Sequence, residues 1–264
     1  MEVSFFGTRV QARSRDQVQT YLDQALRERR PTKIYTPNTE IVMEAAKEAW
    51  IRELLNSGDV RIADGIGLVI GAKLNKIPLE ERVTGYDVSL DLLKFAQDQG
   101  YRVYFLGGKE PIAKQAGEEV QKDYPGLKLV GTHHGYFEKS KLGEDLTSDE
   151  KALIEEIRKL QPDIIFVGLG FPIQEVFIHK AMEVLKQGVW IGNGGVLNIL
   201  AKEQKRAPDF FIRFHLEWFY RLITNPSRWK RQLAIPKFLM RVIFKSNEVK
   251  IVREDFNKNE SKSN

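Results

Sequence analysis

Apolar residues fall at two spacings along the chain, and the alternation between them predicts its architecture. From Arg15 to Arg29 they recur at helical intervals through Val18, Leu22 and Leu26; from Glu40 to Asn56 a second helix carries Ile41, Ala45, Ala49 and Leu54-Leu55 on one side. Short apolar runs with polar or glycine ends read as buried strands at Lys33–Thr36, Val60–Ala63, Tyr101–Leu106, Leu127–Val130, Asp163–Val167 and Val189–Ile191. Further helices are predicted over Ile66–Leu74, Asp87–Gln99, Pro111–Tyr124, Asp149–Leu160 and Ile173–Lys186, and Val3–Phe6 with Arg9–Ala12 reads as a hairpin. This rhythm predicts an α/β fold: a Rossmann-like, largely parallel, doubly wound sheet with helices on both faces.

The rhythm changes near residue 205. Phe210, Phe211, Phe214, Trp218, Phe219 and Leu222 recur at three- and four-residue spacing and predict one apolar helical face. A second apolar run, Leu233–Phe244, is interrupted by Pro236 and carries Lys237, Arg241 and Lys245; it is too short to span a bilayer and suits the interface. The expected division is an α/β core over 1–204, a basic aromatic helical C-terminal appendage over 205–245 that docks on a membrane and completes the site, and a disordered polar tail over 246–264.

Charge sharpens that division. The 264 residues carry a formal net charge of +5, yet 205–245 holds ten Lys/Arg against two acids, 246–264 balances, and 1–204 is therefore −3. Nine of the 27 aromatic residues also lie in 205–245. A basic stretch rich in Phe and Trp suits an anionic surface with an apolar layer beneath it, and a net acidic core argues against a nucleic-acid partner. With no cysteine and four histidines, no disulfide framework or thiolate metal site is available. His133-His134 is a poor metal pair, because adjacent strand residues point to opposite faces. No metal and no cofactor are expected. Met1–Val10 lacks a basic, then apolar, leader pattern, so the expected location is cytoplasmic and peripheral, at the inner face of the cell membrane.

Candidate chemistry sits at strand ends. Val60-Arg61-Ile62-Ala63 runs into Asp64-Gly65, placing a carboxylate where open α/β sheets bind ligands, and Asp64 is the candidate general base. Asp is also a favoured helix N-cap, and only its company singles this one out. Thr36 and Asn38 end the preceding strand, and Arg82 follows in Glu81-Arg82-Val83-Thr84-Gly85. Gly107-Gly108, Gly168 to Gly170 and Gly192 with Gly194 end later strands, where backbone N–H groups can approach a phosphate. None of them spells G-x-G-x-x-G in the first βαβ unit, which weighs against a dinucleotide oxidoreductase. Gln174 and Glu175 open a helix after Gly170-Phe171-Pro172; capping is one role open to them, and holding a sugar or uracil is another.

Taken in order, TPNTE (36–40), ADG (63–65), ERVTG (81–85), FLGG (105–108), VGLGFPIQE (167–175), GNGG (192–195), KRAP (205–208), LEWFYRL (216–222) and NPSRWKR (225–231) resemble bacterial glycosyltransferase family 26, the WecG/TagA/CpsF family. The resemblance covers roughly residues 1–245. It implies an inverting transfer of N-acetylmannosamine from a UDP-sugar donor to an undecaprenyl-diphosphate-linked N-acetylglucosamine acceptor, forming a β-1,4 bond in wall teichoic acid or a related cell-surface polymer. A different UDP-sugar, glucose or a uronic acid, is the alternative within the family. Carried over by position, Asp64 is the base, Thr36, Asn38, Arg82 and Gln174 line the pocket, and Arg206, Arg221, Arg228 and Arg231 meet the lipid diphosphate. The chain departs from the family pattern at Asn198 and at Ala201-Lys202-Glu203. A homo-oligomer of the core is left open.

Overall fold

The computed structural model describes residues 1–79, 81–214, 216–224, 229 and 233–252, with the Arg221 side chain outside the description. Its elements, in chain order, are β1 (Glu2–Phe5), β2 (Thr8–Gln11), α1 (Arg15–Arg27), β3 (Thr32–Tyr35), α2 (Thr39–Ala45), α3 (Ala49–Asn56), β4 (Val60–Arg61), α4 (Ile66–Leu74), α5 (Gly85–Gln99), β5 (Arg102–Gly107) and α6 (Ile112–Asp123). They continue with β6 (Lys128–His133), α7 (Ser148–Leu160), β7 (Ile164–Gly168), α8 (Ile173–Leu185), β8 (Val189–Gly192), α9 (Val196–Leu200), α10 (Asp209–Arg213), α11 (Glu217–Thr224), α12 (Ala234–Phe244) and β9 (Val249–Val252).

Six strands form a parallel sheet in the order β4-β3-β8-β7-β5-β6. Strand alternation explains the two layers of helices. Val103, Phe105, Ile164, Phe166, Val189 and Ile191 point to a core shared with α1, α5, α6 and α9. Their neighbours Tyr104, Leu106, Ile165, Val167 and Trp190 point to a second core with α3, α7 and α8. Every one of these side chains is buried, as a sheet covered on both faces requires. The fold is the doubly wound α/β class that the apolar rhythm predicts.

Helix ends follow local chemistry. Ser14 and Thr147 close capping boxes at α1 and α7, and Thr84 caps α5. Gly100 ends α5 in the left-handed region (φ 74°), which glycine adopts without a Cβ penalty. The helix expected over Glu40–Asn56 is two. The turn between them lets α2 pack against α12 while α3 packs against β2 and α8, so tertiary contacts override a continuous local pattern.

The C-terminal part differs most from expectation. The aromatic run from Phe210 does not make one helical face: α10 ends at Arg213, Leu216 N–H returns to the Phe211 carbonyl (2.7 Å), and α11 starts afresh at Glu217. Pro236 does not interrupt the next apolar run either. It lies in the first turn of α12, where backbone N–H groups have no helical partner to lose. Phe238 and Val242 of α12 are buried in a third core with Val3, Phe5, Leu68 and Ala72, and the Phe238 ring meets Phe5 and Phe6 at 5.6 and 5.5 Å. Part of the segment expected to be a disordered tail is ordered: Val249–Val252 pairs antiparallel with β1, making a three-stranded sheet β2-β1-β9. Val249 joins the third core, and Arg241 pairs with Glu248 at 2.7 Å, so apolar burial and an ion pair hold a stretch whose composition is mostly polar.

Candidate functional site

The carboxyl ends of β3, β4, β7 and β8 open on one cleft of about 770 Å³. Such a crevice, with strand ends beneath it, is where open α/β sheets place ligands. Thr36, Asn38, Asp64, Arg82, Gly168, Gly170, Gln174, Gly194 and Arg206 all line it, and α11 closes one side with Glu217, Trp218 and Tyr220. The polar clusters at 36–40, 63–65 and 81–85, far apart in sequence, therefore meet in one place.

Each side chain is set by its element. β3 delivers Thr36, whose hydroxyl donates to the Gly192 carbonyl at 3.3 Å. Asn38 caps α2, its side-chain oxygen accepting from Ile41 N–H at 3.1 Å. Asp64 is not the cap of α4, since Gly65 occupies that position without a side-chain bond. Its backbone N–H is held by the Pro37 carbonyl at 3.0 Å, and its side chain reaches the cleft wall. Arg82 lies between two acids: Nη1 is 2.5 Å from Glu217 Oε2, and Nη2 is 3.6 Å from Asp64 Oδ1. Arg82 Nε also donates to the Asp64 carbonyl at 3.4 Å. Arg206 pairs with Asp87 at 2.8 Å and stacks on the Tyr86 ring at 4.3 Å, with its side chain 32% exposed at the cleft.

Gln174 and several of the glycines brace the strand-end loops against each other. Gln174 is 2% exposed, and its side-chain oxygen accepts from Gly194 N–H (2.8 Å) and Gly170 N–H (3.2 Å). Two of the backbone donors expected to face a ligand are thus spent on bracing the β7 and β8 loops against each other. Gly108 N–H goes to the Gly168 carbonyl at 3.2 Å. A Cβ on Gly107, at φ 138°, would lie 2.5 Å from the Gly168 carbonyl oxygen, so glycine is required where the ends of β5 and β7 touch. Gly108 and Gly168 also line an adjoining cavity of about 680 Å³, which shares Leu169 and Asn198 with the main cleft.

Behind Gln174 lies Glu175, fully buried. Gln174 Nε2 donates to its Oε1 at 2.9 Å, its Oε2 has no hydrogen-bond partner, and burial pushes its pKa up to about 7. Glu175 therefore supports the cleft from beneath and does not line it. His133 and His134 do not point apart: β6 ends at His133, and their rings lie 4.6 Å from each other. Arg228 and Arg231 lie outside the described residues, as does the Arg221 side chain. The residue that sequence reading missed is Glu217. Its signal was present, as one of only two acids in a stretch of ten basic residues.

A carboxylate beside a guanidinium in a solvent-open α/β cleft can take a proton from a hydroxyl while the cation faces a departing anion, which is group-transfer chemistry. Residues 3–250 match the Glycosyl transferase WecG/TagA/CpsF family, and the chain belongs to that family. It is a glycosyltransferase. Among its relatives, the N-acetylglucosaminyldiphosphoundecaprenol N-acetyl-beta-D-mannosaminyltransferase of Bacillus spizizenii is 40% identical over 224 residues, covering 85% of this chain and 82% of the relative. The protein of the same name from Bacillus subtilis is 37% identical over 80% of this chain and 78% of its own length. That from Staphylococcus aureus is 32% identical over 82% of both chains.

Proposed function

We propose that this chain transfers N-acetylmannosamine from its UDP donor to an undecaprenyl-diphosphate-linked N-acetylglucosamine, with inversion and formation of a β-1,4 bond. The observation that carries the reading is the convergence of Asp64, Arg82, Thr36 and Asn38 in one cleft, in a chain whose relatives bear the name of that activity. In the step itself, the acceptor hydroxyl gives its proton to the Asp64 carboxylate as its oxygen attacks the anomeric carbon. The bond from that carbon to the UDP oxygen breaks, and UDP leaves with the electron pair. Arg82 lines the same cleft, which supports a charge-assisted contact from it to the leaving diphosphate.

Arg206, Arg221, Arg228 and Arg231 are assigned to the lipid diphosphate, from the C-terminal segment whose α11 lines the cleft. Attachment to the inner face of the membrane is supported by apolar side chains left in solvent: Phe210, Phe214, Ile223, Ile243 and Phe244 are all more than half exposed, in a stretch of net charge +8. No helix among the described residues is long and apolar enough to cross a bilayer. The test is to offer the protein UDP-N-acetylmannosamine, UDP-glucose and a UDP-linked uronic acid, each with a short-chain lipid-diphosphate N-acetylglucosamine acceptor. Transfer of N-acetylmannosamine alone supports the reading, and preferential transfer of another sugar overturns it.

A further inference from the structure

Helix α4 has no polar face. Of its nine residues only Lys73 is polar, whereas a helix on the surface of a globular core ordinarily turns charged or polar side chains outward. Gly67, Leu68, Gly71 and Ala72 are buried, yet Ile70 is 39% and Leu74 54% exposed. These two stand one turn apart, at i and i+4, on one outward strip. Helix α12 runs against α4 beside that strip. A Cβ on Gly71 would lie 2.8 Å from the Phe238 ring, and Val242 packs at the same point. With Phe238 and Val242 turned inward, Met240, Ile243 and Phe244 face out, each more than half exposed.

Charge says what such a surface fits. Helices α4 and α12 carry Lys73, Lys237 and Arg241 and no acid, with Lys76 and Lys245 just beyond their ends. Glu248 pairs with Arg241 and Lys245, while Lys73, Lys76 and Lys237 are exposed. Apolar side chains in solvent with cations among them suit an anionic bilayer, in which the apolar groups enter and the ammonium groups stay at the headgroups. A second copy of the chain suits them less, because a two-fold pairing sets the same lysines against each other. We propose that α4, a helix of the α/β core, docks on the anionic membrane together with α12, so that the attachment surface runs from the C-terminal segment onto the core. The inference rests on the membrane reading above and extends it, since the core itself then binds the bilayer. Gly65, Ile66 and Gly67, at the start of α4, line the cleft, so this docking sets the cleft beside the bilayer that holds a lipid-linked acceptor.

The experiment sediments the full chain with vesicles of mixed phosphatidylglycerol and phosphatidylcholine, and runs thermal unfolding on each variant. Replacing both Ile70→Ser and Leu74→Ser should weaken vesicle partition by about 10- to 100-fold, the loss of two inserted apolar side chains, with the melting temperature close to wild type because both positions are exposed. Partition within about 2-fold of wild type overturns the inference and leaves attachment through the C-terminal segment standing. If wild type does not sediment with the vesicles at all, the membrane reading falls and takes this inference with it. A second readout holds even if the double variant melts lower. The chain has no cysteine, so Leu74→Cys can carry a single environment-sensitive dye, with Ala152→Cys on the exposed side of α7 as the control. On vesicles the emission from position 74 should shift to the blue and that from position 152 should not. An unshifted dye at 74, while wild type sediments, overturns the inference. So does a wild-type dimer in sedimentation velocity without lipid that the Ile70→Ser, Leu74→Ser pair dissociates, because the surface then belongs to a second copy.

Discussion

Replacing Glu175 with Gln should change how the stability of the protein depends on pH. The side chain is fully buried at the start of α8, one oxygen taking a hydrogen from Gln174 and the other unpartnered. Burial raises its pKa from 4.5 to about 7. A carboxyl whose native value lies above its unfolded value binds its proton more tightly in the folded chain. Its stabilising contribution is complete below about pH 4.5, declines as pH rises through about 7, and is constant above that. A displacement of that size corresponds to about 3 kcal/mol across the whole window. Glu175→Gln keeps the shape and the acceptor for Gln174 Nε2 but cannot ionise. Relative to wild type it should therefore gain about 2–3 kcal/mol in unfolding free energy between pH 5 and pH 8. Urea unfolding at the two pH values measures this, with an unchanged m-value showing that the same surface is exposed. Equal differences between variant and wild type at both pH values would refute the assignment of a titrating buried carboxyl.

Phe238→Ala should cost about 3–5 kcal/mol, since the ring is fully buried between α4 and the β1–β2 hairpin; a loss under about 1 kcal/mol in thermal unfolding would mean that α12 is not part of the core. Gly107→Ala should destabilise by more than about 2 kcal/mol, because the new methyl meets the Gly168 backbone and the residue keeps a strained φ; an unchanged melting temperature would contradict that close approach. Turnover should persist in EDTA, with Arg82 supplying positive charge opposite the leaving diphosphate, and a requirement for added Mg²⁺ or Mn²⁺ would contradict it.

Much of the fold was legible because strands buried on both faces must read as apolar runs, and those at 101–106, 163–167 and 189–191 do. Asp64, Thr36 and Asn38 were legible as site candidates because each lies at or just beyond the end of a short strand-like run. What stayed hidden depends on partners distant in sequence. Nothing local in Val249–Val252 tells that β1 is waiting for it, and nothing near Arg61 tells that its buried guanidinium meets Glu2. For Gln174 both capping and a ligand contact were open from sequence, and its orientation is set by amides at 170 and 194 that only the closed sheet brings together. Glu217 stood in plain view as an acid among basic residues, yet its partner Arg82 lies 135 positions earlier.

The central claim is that Asp64 takes the acceptor's proton, and turnover by Asp64→Asn tests it most directly. The amide keeps the shape of the side chain but cannot accept the proton, so kcat with UDP-N-acetylmannosamine and the lipid-linked acceptor should fall by about 10²- to 10⁴-fold while unfolding and UDP binding stay close to wild type. Near-normal turnover in that variant would contradict the account.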